Sequence, residues 1–155
     1  MTRPKMYIGL IGWILVSFLA GLVGAIVEPG VWYEMLNKPA WTPPNWVFPV
    51  VWPILYLCMG VAAWLVWKKA GFDQARDALT LFLVQLALNG LWSWVFFGWH
   101  QIGTALANIM LLWIIILFTT LAFRIQSKGA FWLMVPYLVW VGYATALNFS
   151  IWNLN

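Results

Sequence analysis

Five apolar runs, each close to the ~20 residues that cross a bilayer as a helix, leave this chain little room to be anything but a membrane bundle. They cover residues 7–27, 46–67, 78–97, 104–123 and 130–152, and no Asp, Glu, Lys or Arg falls within any of them. Charged residues make up 8% of the chain, against about 25% in a typical soluble domain. The expected fold is an all-α integral membrane protein, a single five-helix membrane domain over residues 1–155. The first run follows a short basic start, Met1 to Lys5. It is longer than the roughly 7–15 apolar residues of a signal peptide and four more runs follow it, so it reads as the first span.

Charge placement orients the bundle. Arg3, Lys5, Lys68, Lys69, Arg76, Arg124 and Lys128 fall at one end and Lys38 alone at the other. In a bacterial inner membrane the positive-inside rule puts the N-terminus in the cytoplasm and the C-terminus outside. Basic residues scattered at span ends argue for membrane lipid as a partner and against nucleic acid. A lone cysteine, Cys58, excludes a disulfide within the chain and a CxxC redox pair. With no Asp, Glu, Lys or Arg inside the spans, a proton pump or ion-coupled transporter is not expected.

The longest connection, residues 28–45, is too aromatic and aliphatic for a disordered linker. Its stretch NKPAWTPPNW carries Pro39, Trp41, Pro43 and Pro44. Proline fixes φ and removes a donor, so this segment is expected to be a stiff, ordered lid between the first two spans, with Thr42 as a helix N-cap. Pro49 and Pro53 are expected to bend the outer end of the second span, and Pro136 to kink the fifth. Gly71 is placed for a left-handed C-cap. Ser17, Ala20, Gly21 and Gly24 give the first span a small-residue face, read as a packing surface for a neighbouring helix.

Uncharged polar and aromatic residues recur at helical spacing. Trp52, Tyr56 and Ala63 share a face of the second span; Gln85, Asn89 and Trp92 of the third; Thr104 and Asn108 of the fourth; and Tyr137, Trp140, Ala144 and Asn148 of the fifth. Amides in membrane helices ordinarily bond a neighbouring helix for about 0.6 kcal/mol. Converging, these faces would instead line an aromatic cavity with a few orienting amides. Trp13, Trp32, Trp64, Trp67, Trp99, Trp132 and Trp152 read as interfacial belt residues, whereas Trp52, Trp92 and Trp140 read as cavity lining. No paired carboxylates, GxSxG, Walker loop or metal cluster occurs, so no metal and no required cofactor are expected. His100, the single histidine, reads as a polar group near the cavity mouth.

Short blocks in order then carry a resemblance: Trp32-Tyr33, Lys38-Pro39, Trp41-Thr42-Pro43-Pro44, Trp46-Val47-Phe48-Pro49, Gln85 to Asn89, Phe96-Phe97-Gly98, Pro136 to Trp140 and Ala144 to Phe149. Together they resemble the tryptophan-rich sensory protein family, also called translocator protein or peripheral-type benzodiazepine receptor, in a bacterial form. The resemblance implies a five-helix bundle, a homodimer, and porphyrins such as protoporphyrin IX as ligands. It implies that Trp52 and Trp140 serve light-dependent porphyrin breakdown, and that Asn89, Trp92, Tyr137, Ala144 and Leu147 are pocket positions. Two departures stand out. The end of the fifth span lacks the tyrosine and basic residue of the animal sterol motif, and Thr104 replaces an animal pocket tryptophan, so neither sterol nor drug binding is carried over.

The leading expectation is a membrane porphyrin receptor or sensor. Trp32, Lys38, Trp41, Tyr56, Asn89, Trp92, Thr104, Asn108, Tyr137, Ala144, Leu147 and Asn148 are its candidate ligand-binding residues. The propionates are expected toward Lys38, His100 and the N-termini of the second and fourth spans. The alternatives are a carrier of lipid-like or tetrapyrrole metabolites, and a scaffold acting through protein contacts.

Overall fold

The structure, a computed structural model, describes residues 3–155; Met1 and Thr2 of the basic start lie outside the described residues. Its elements are α1 (Arg3–Ala25), a short α2 (Gly30–Met35), α3 (Val47–Gln74), α4 (Arg76–Ser93) running into a π-helical turn (Trp94–Gly98), α5 (Ile102–Gln126) and α6 (Lys128–Leu154). Five of these helices are long and apolar enough to cross a membrane. Each extends past its sequence-predicted span at one end or both, because polar residues at the ends continue the helix.

The five long helices close into a ring. α1 packs between α3 and α4, α5 between α4 and α6, and α6 returns to α3. At the basic end the ring is filled by aromatic side chains. Phe82 stacks on Phe123 at 5.7 Å and takes the edge of Trp13 at 5.8 Å, with Met59 and Met134 fully buried around them. Trp13 is therefore a core residue, and the interfacial role read from sequence is corrected. Its position nearly three turns into α1 places it against Phe82 of α4.

The small-residue face of α1 packs as expected, against this chain's own helices. A Cβ on Gly21 would collide with the Tyr56 ring, and one on Gly24 would lie 2.9 Å from Ser93 Oγ. From α3, a Cβ on Gly60 would stand 2.6 Å from the Ile14 Cα.

Several local expectations change. Thr42 caps no helix: its hydroxyl and its N–H both donate to Pro39 O, at 2.8 and 3.0 Å, closing a turn. α3 starts five residues beyond that turn's last residue, at Val47, so Pro49 lies in its first turn, where the missing N–H has no intrahelical partner to lose. α3 passes Pro53 and α6 passes Pro136 with helical backbone angles. The break in α3 falls at Gly71, with φ 69° and ψ −173°. The left-handed φ is as expected, but ψ is extended, a region that glycine enters freely. Ser127 supplies a cap not foreseen, its Oγ accepting from Ala130 N at 3.2 Å to start α6.

Candidate ligand-binding site

At the end of the ring away from the lysine-rich termini, the helices enclose a cavity of about 730 Å³. Small-molecule sites fall at about 300–1,000 Å³. α1 contributes Phe18, Gly21 and Leu22; α3 Trp52 and Tyr56; α4 and its π-helical turn Asn89, Trp92, Phe96 and Phe97. α5 adds Ile109 and Leu112, and α6 Trp140, Ala144, Leu147 and Asn148. Thus the three tryptophans set apart in the sequence, Trp52, Trp92 and Trp140, do meet around one space.

Their rings are fixed by neighbours. Trp52 stacks on Tyr56 at 5.5 Å and meets Tyr137 edge-on at 6.3 Å. Trp92 stacks on Phe96 at 5.1 Å and donates Nε1–H to Asn148 Oδ1 at 3.0 Å. Trp140 packs edge-on against Phe48 at 6.1 Å. Its Nε1–H is buried and has no partner among the described residues. A buried donor left in that state costs about 1–3 kcal/mol.

Beneath the rings lies a closed polar chain. Tyr56 Oη donates to Asn89 Oδ1 at 2.6 Å, Asn89 Nδ2 to Tyr137 Oη at 3.0 Å, Tyr137 Oη to Gln85 Oε1 at 2.7 Å, and Gln85 Nε2 to Met59 Sδ at 3.7 Å. Asn148 Nδ2 likewise donates to Ile102 O at 3.1 Å. The amides expected to orient a ligand thus already bond protein partners through both oxygen and nitrogen. Tyr137 is fully buried behind the lining, in this chain rather than in the wall. The surface offered to a ligand is mainly aromatic rings.

Besides Tyr137, five of the candidate residues lie off the cavity lining. Trp32 stacks on His100 at 4.1 Å and 15°, and His100 itself has φ 56°, in the left-handed region. The Lys38 ammonium donates to Tyr33 O, Glu34 O and Leu36 O and lies 4.7 Å from the Tyr33 ring centre, so it terminates α2. Trp41 packs on Tyr143 at 5.5 Å and accepts that residue's Oη–H through its carbonyl at 2.6 Å. Thr104 is exposed, and Asn108 Nδ2 donates to Leu88 O at 3.1 Å, tying α5 to α4.

The roof is also not the proline stretch. Pro39, Trp41, Pro43 and Pro44 are absent from the lining; the connection reaches the cavity through Glu28, Pro29, Gly30, Tyr33, Glu34 and Asn45. The proline segment instead fastens the connection to α6. Besides the Trp41–Tyr143 contact, Asn37 N donates to Asn155 Oδ1 at 3.0 Å and Asn155 Nδ2 to Asn37 O at 2.9 Å. Tyr33, on α2, was missed because its spacing belongs to no long helix. Burial lifts its phenol above the ordinary tyrosine value, so it stays neutral at the cavity edge. Among the described residues no Lys, Arg or His lines the cavity, and Glu28 and Glu34 stand at its edge. The lining residues Leu22 and Ala25 on α1 and Pro49 and Pro53 on α3 are also exposed at the outer surface, so the cavity reaches the flank of the bundle between these helices.

Among the described residues there is no group of His, Cys, Asp and Glu placed to hold a metal ion. Comparison with known proteins matches residues 13–153 to the model of the TspO/MBR family. The tryptophan-rich sensory protein of Cereibacter sphaeroides is 44% identical over 149 residues, covering 92% of this chain and 92% of the relative. Tryptophan-rich protein TspO of Chlorobaculum tepidum is 47% identical over 133 residues, 83% of this chain and 82% of the relative. The human translocator protein is 38% identical over 154 residues, 96% of this chain and 91% of the relative.

Proposed function

This chain belongs to the TspO/MBR family and is an integral membrane protein, and from that premise we propose that its cavity receives a flat, largely apolar tetrapyrrole such as protoporphyrin IX for sensing. The observation that carries the reading is the meeting of Trp52, Trp92 and Trp140 on one cavity of about 730 Å³. Ring faces recognise a planar macrocycle by stacking, worth about 0.5–1.5 kcal/mol for each aromatic pair beyond area burial. The free Nε1–H of Trp140 would find its acceptor on the ligand.

The anchor for the propionates differs from the one expected. Lys38 is engaged with three carbonyls and His100 lies off the lining. Carboxylates would also meet Glu28 and Glu34 at the cavity edge, so they are assigned to water outside it. In the light, an electron passing from the indole of Trp52 or Trp140 to the excited macrocycle would leave a porphyrin radical anion and a tryptophan radical cation, and oxidative breakdown of the macrocycle would then need dioxygen as the oxidant. The concentration of basic residues at one end favours that end in the cytoplasm.

The test is a dark titration of the protein in nanodiscs with protoporphyrin IX, followed by tryptophan fluorescence, and then illumination. Saturable quenching is expected, with the apparent Kd raised about tenfold in Trp52→Phe/Trp140→Phe. Illumination should produce new absorbance bands in the native protein and not in this variant. Linear quenching that survives both substitutions would mean partition into lipid and would remove the reading. One observation favours a second reading, a carrier of lipid-like metabolites: the cavity's opening on the flank between α1 and α3. Counterflow of labelled porphyrin in proteoliposomes separates the two, since a sensor that only binds produces none.

A further inference from the structure

The cavity has a charge sign of its own. Glu28 and Glu34, one on either side of the first turn of α2, are both on its lining and both exposed, with no Lys, Arg or His beside them among the described lining residues. Lys38, the basic residue next along the connection, turns its ammonium to the carbonyls of Tyr33, Glu34 and Leu36 and not to these carboxylates. Pro49 and Pro53 share the lining, and Pro53 has no N–H to give Pro49 O, four residues back in α3. The helix dipoles act in the same sense. α1, α4 with its π-helical turn, and α6 end on the cavity side, whereas only α3 and α5 of the long helices begin there, so negative ends outnumber positive ones.

Within this edge the walls are rings, among them Tyr33, Trp52, Trp92 and Trp140. An aromatic face attracts a cation placed within about 6 Å of its centre, and a set of such faces is a known way to hold a quaternary ammonium group. The chain already makes one such pair at the cavity edge, where the Lys38 ammonium lies 4.7 Å from the Tyr33 ring centre. On α6 the Trp140 Nε1–H is buried without a partner among the described residues and calls for an acceptor. A ligand that meets all three conditions has an ammonium group at the edge, a flat aromatic body among the indoles and a carbonyl or ether oxygen for Trp140. A carboxylate in place of the ammonium would face Glu28, Glu34 and dipole ends of its own sign.

We propose that the cavity binds lipophilic aromatic ammonium compounds, with Glu28 and Glu34 selecting the positive charge and Trp140 taking the acceptor. The inference shares its space with the tetrapyrrole reading and stands on the charge of the edge, not on that ligand. Protoporphyrin titration decides the one and ammonium titration the other.

The test is equilibrium dialysis of the full chain in dodecyl maltoside, with empty micelles as the blank. The probe is acetylnaphthylmethyl-trimethylammonium, a flat ketone with a fixed positive charge, and acetylnaphthylacetate presents the opposite charge on the same body. The ammonium probe should bind saturably and about tenfold more tightly than the carboxylate, and Glu28→Gln/Glu34→Gln should remove that difference, the size set by two exposed charges. Asp73→Asn/Asp77→Asn, which takes the same charge from the opposite end of the bundle, should keep it. Trp140→Phe should weaken the ketone about fivefold more than it weakens the same ammonium compound without its acetyl group, because only the ketone loses a hydrogen bond. Thermal melts check that each variant folds. Equal binding of the two charges by the native protein overturns the proposal, as does a preference that survives in the Glu28/Glu34 variant. An equal loss in the Asp73/Asp77 variant, which would mean diffuse surface charge, also overturns it, and equal weakening of both ammonium probes by Trp140→Phe removes the role given to that indole.

Discussion

The two ends of the α1–α3 pair are built on opposite rules. Toward the basic end, glycine brings the helices together: Gly60 meets the Ile14 backbone, and Gly9 lets the Trp67 ring lie on α1. Beyond them Phe82, Phe123, Met59 and Met134 leave the ring interior filled. Toward the other end Gly21 still lets the Tyr56 ring close on α1, but Phe18 on α1 and Trp52 on α3 stand beside them, and about 730 Å³ stays open. Helices approach closely only where small residues remove the obstacle, and rigid rings held by their own neighbours prop them apart.

Added bulk should separate the two ends most sharply. Gly60→Val places branched carbons against the Ile14 backbone, which cannot rotate away as a side chain would. It should cost about 3 kcal/mol, the upper range of overpacking, seen as a fall in the reversible unfolding midpoint in detergent. A cost under about 1 kcal/mol would show that α1 can shift outward and that the seam is not tightly set.

Tyr137→Phe tests the polar chain that separates filled core from cavity. It removes one hydroxyl, leaving Asn89 Nδ2 without an acceptor and Gln85 Oε1 without a donor. The expected cost is about 2 kcal/mol, above the ~0.6 typical of a single polar contact between membrane helices, because two buried groups lose partners at once. The same melts in Tyr137→Phe/Gln85→Leu should recover part of the loss, since the second change removes one orphan. No recovery would mean that the hydroxyl matters by its volume.

The smallest effect on stability should come from Ala144→Leu, which adds bulk on the cavity side of α6. It enters open space, so the unfolding midpoint should move by the equivalent of less than about 0.5 kcal/mol, as for substitutions that break no contact. Porphyrin titration of the same variant should show weaker binding, because the added carbons occupy the space assigned to the ligand. A large loss of stability instead would place Ala144 in packed core.

Much of the fold was legible because membrane spans leave a one-dimensional signal. The five runs became the five long helices. The faces holding Trp52 and Tyr56, Asn89 and Trp92, and Trp140, Ala144 and Asn148 did converge, since i, i+4 spacing fixes which residues share a helix side. Thr104 and Asn108 obey the same spacing and still miss the cavity. Spacing sets a face but not the rotation of the helix that presents it, and α5 turns Ile109 and Leu112 inward instead. The connection was the least legible part. Pro39, Pro43 and Pro44 pointed to an ordered segment, but order does not say where a segment docks, and this one docks on α6.

The sequence by itself determined the class of the protein, the number and rough extent of its helices, and the identity of its three cavity tryptophans, because apolar length and helical period act within one segment. The tertiary structure decided which hydrogen-bonding groups were left for a ligand. Asn89, Asn148 and Lys38 all looked available along the chain, and each is engaged by a partner from a different segment or by carbonyls of a turn. Whether a polar group is free depends on every neighbour the fold brings within about 3 Å, and that distance exists only in three dimensions.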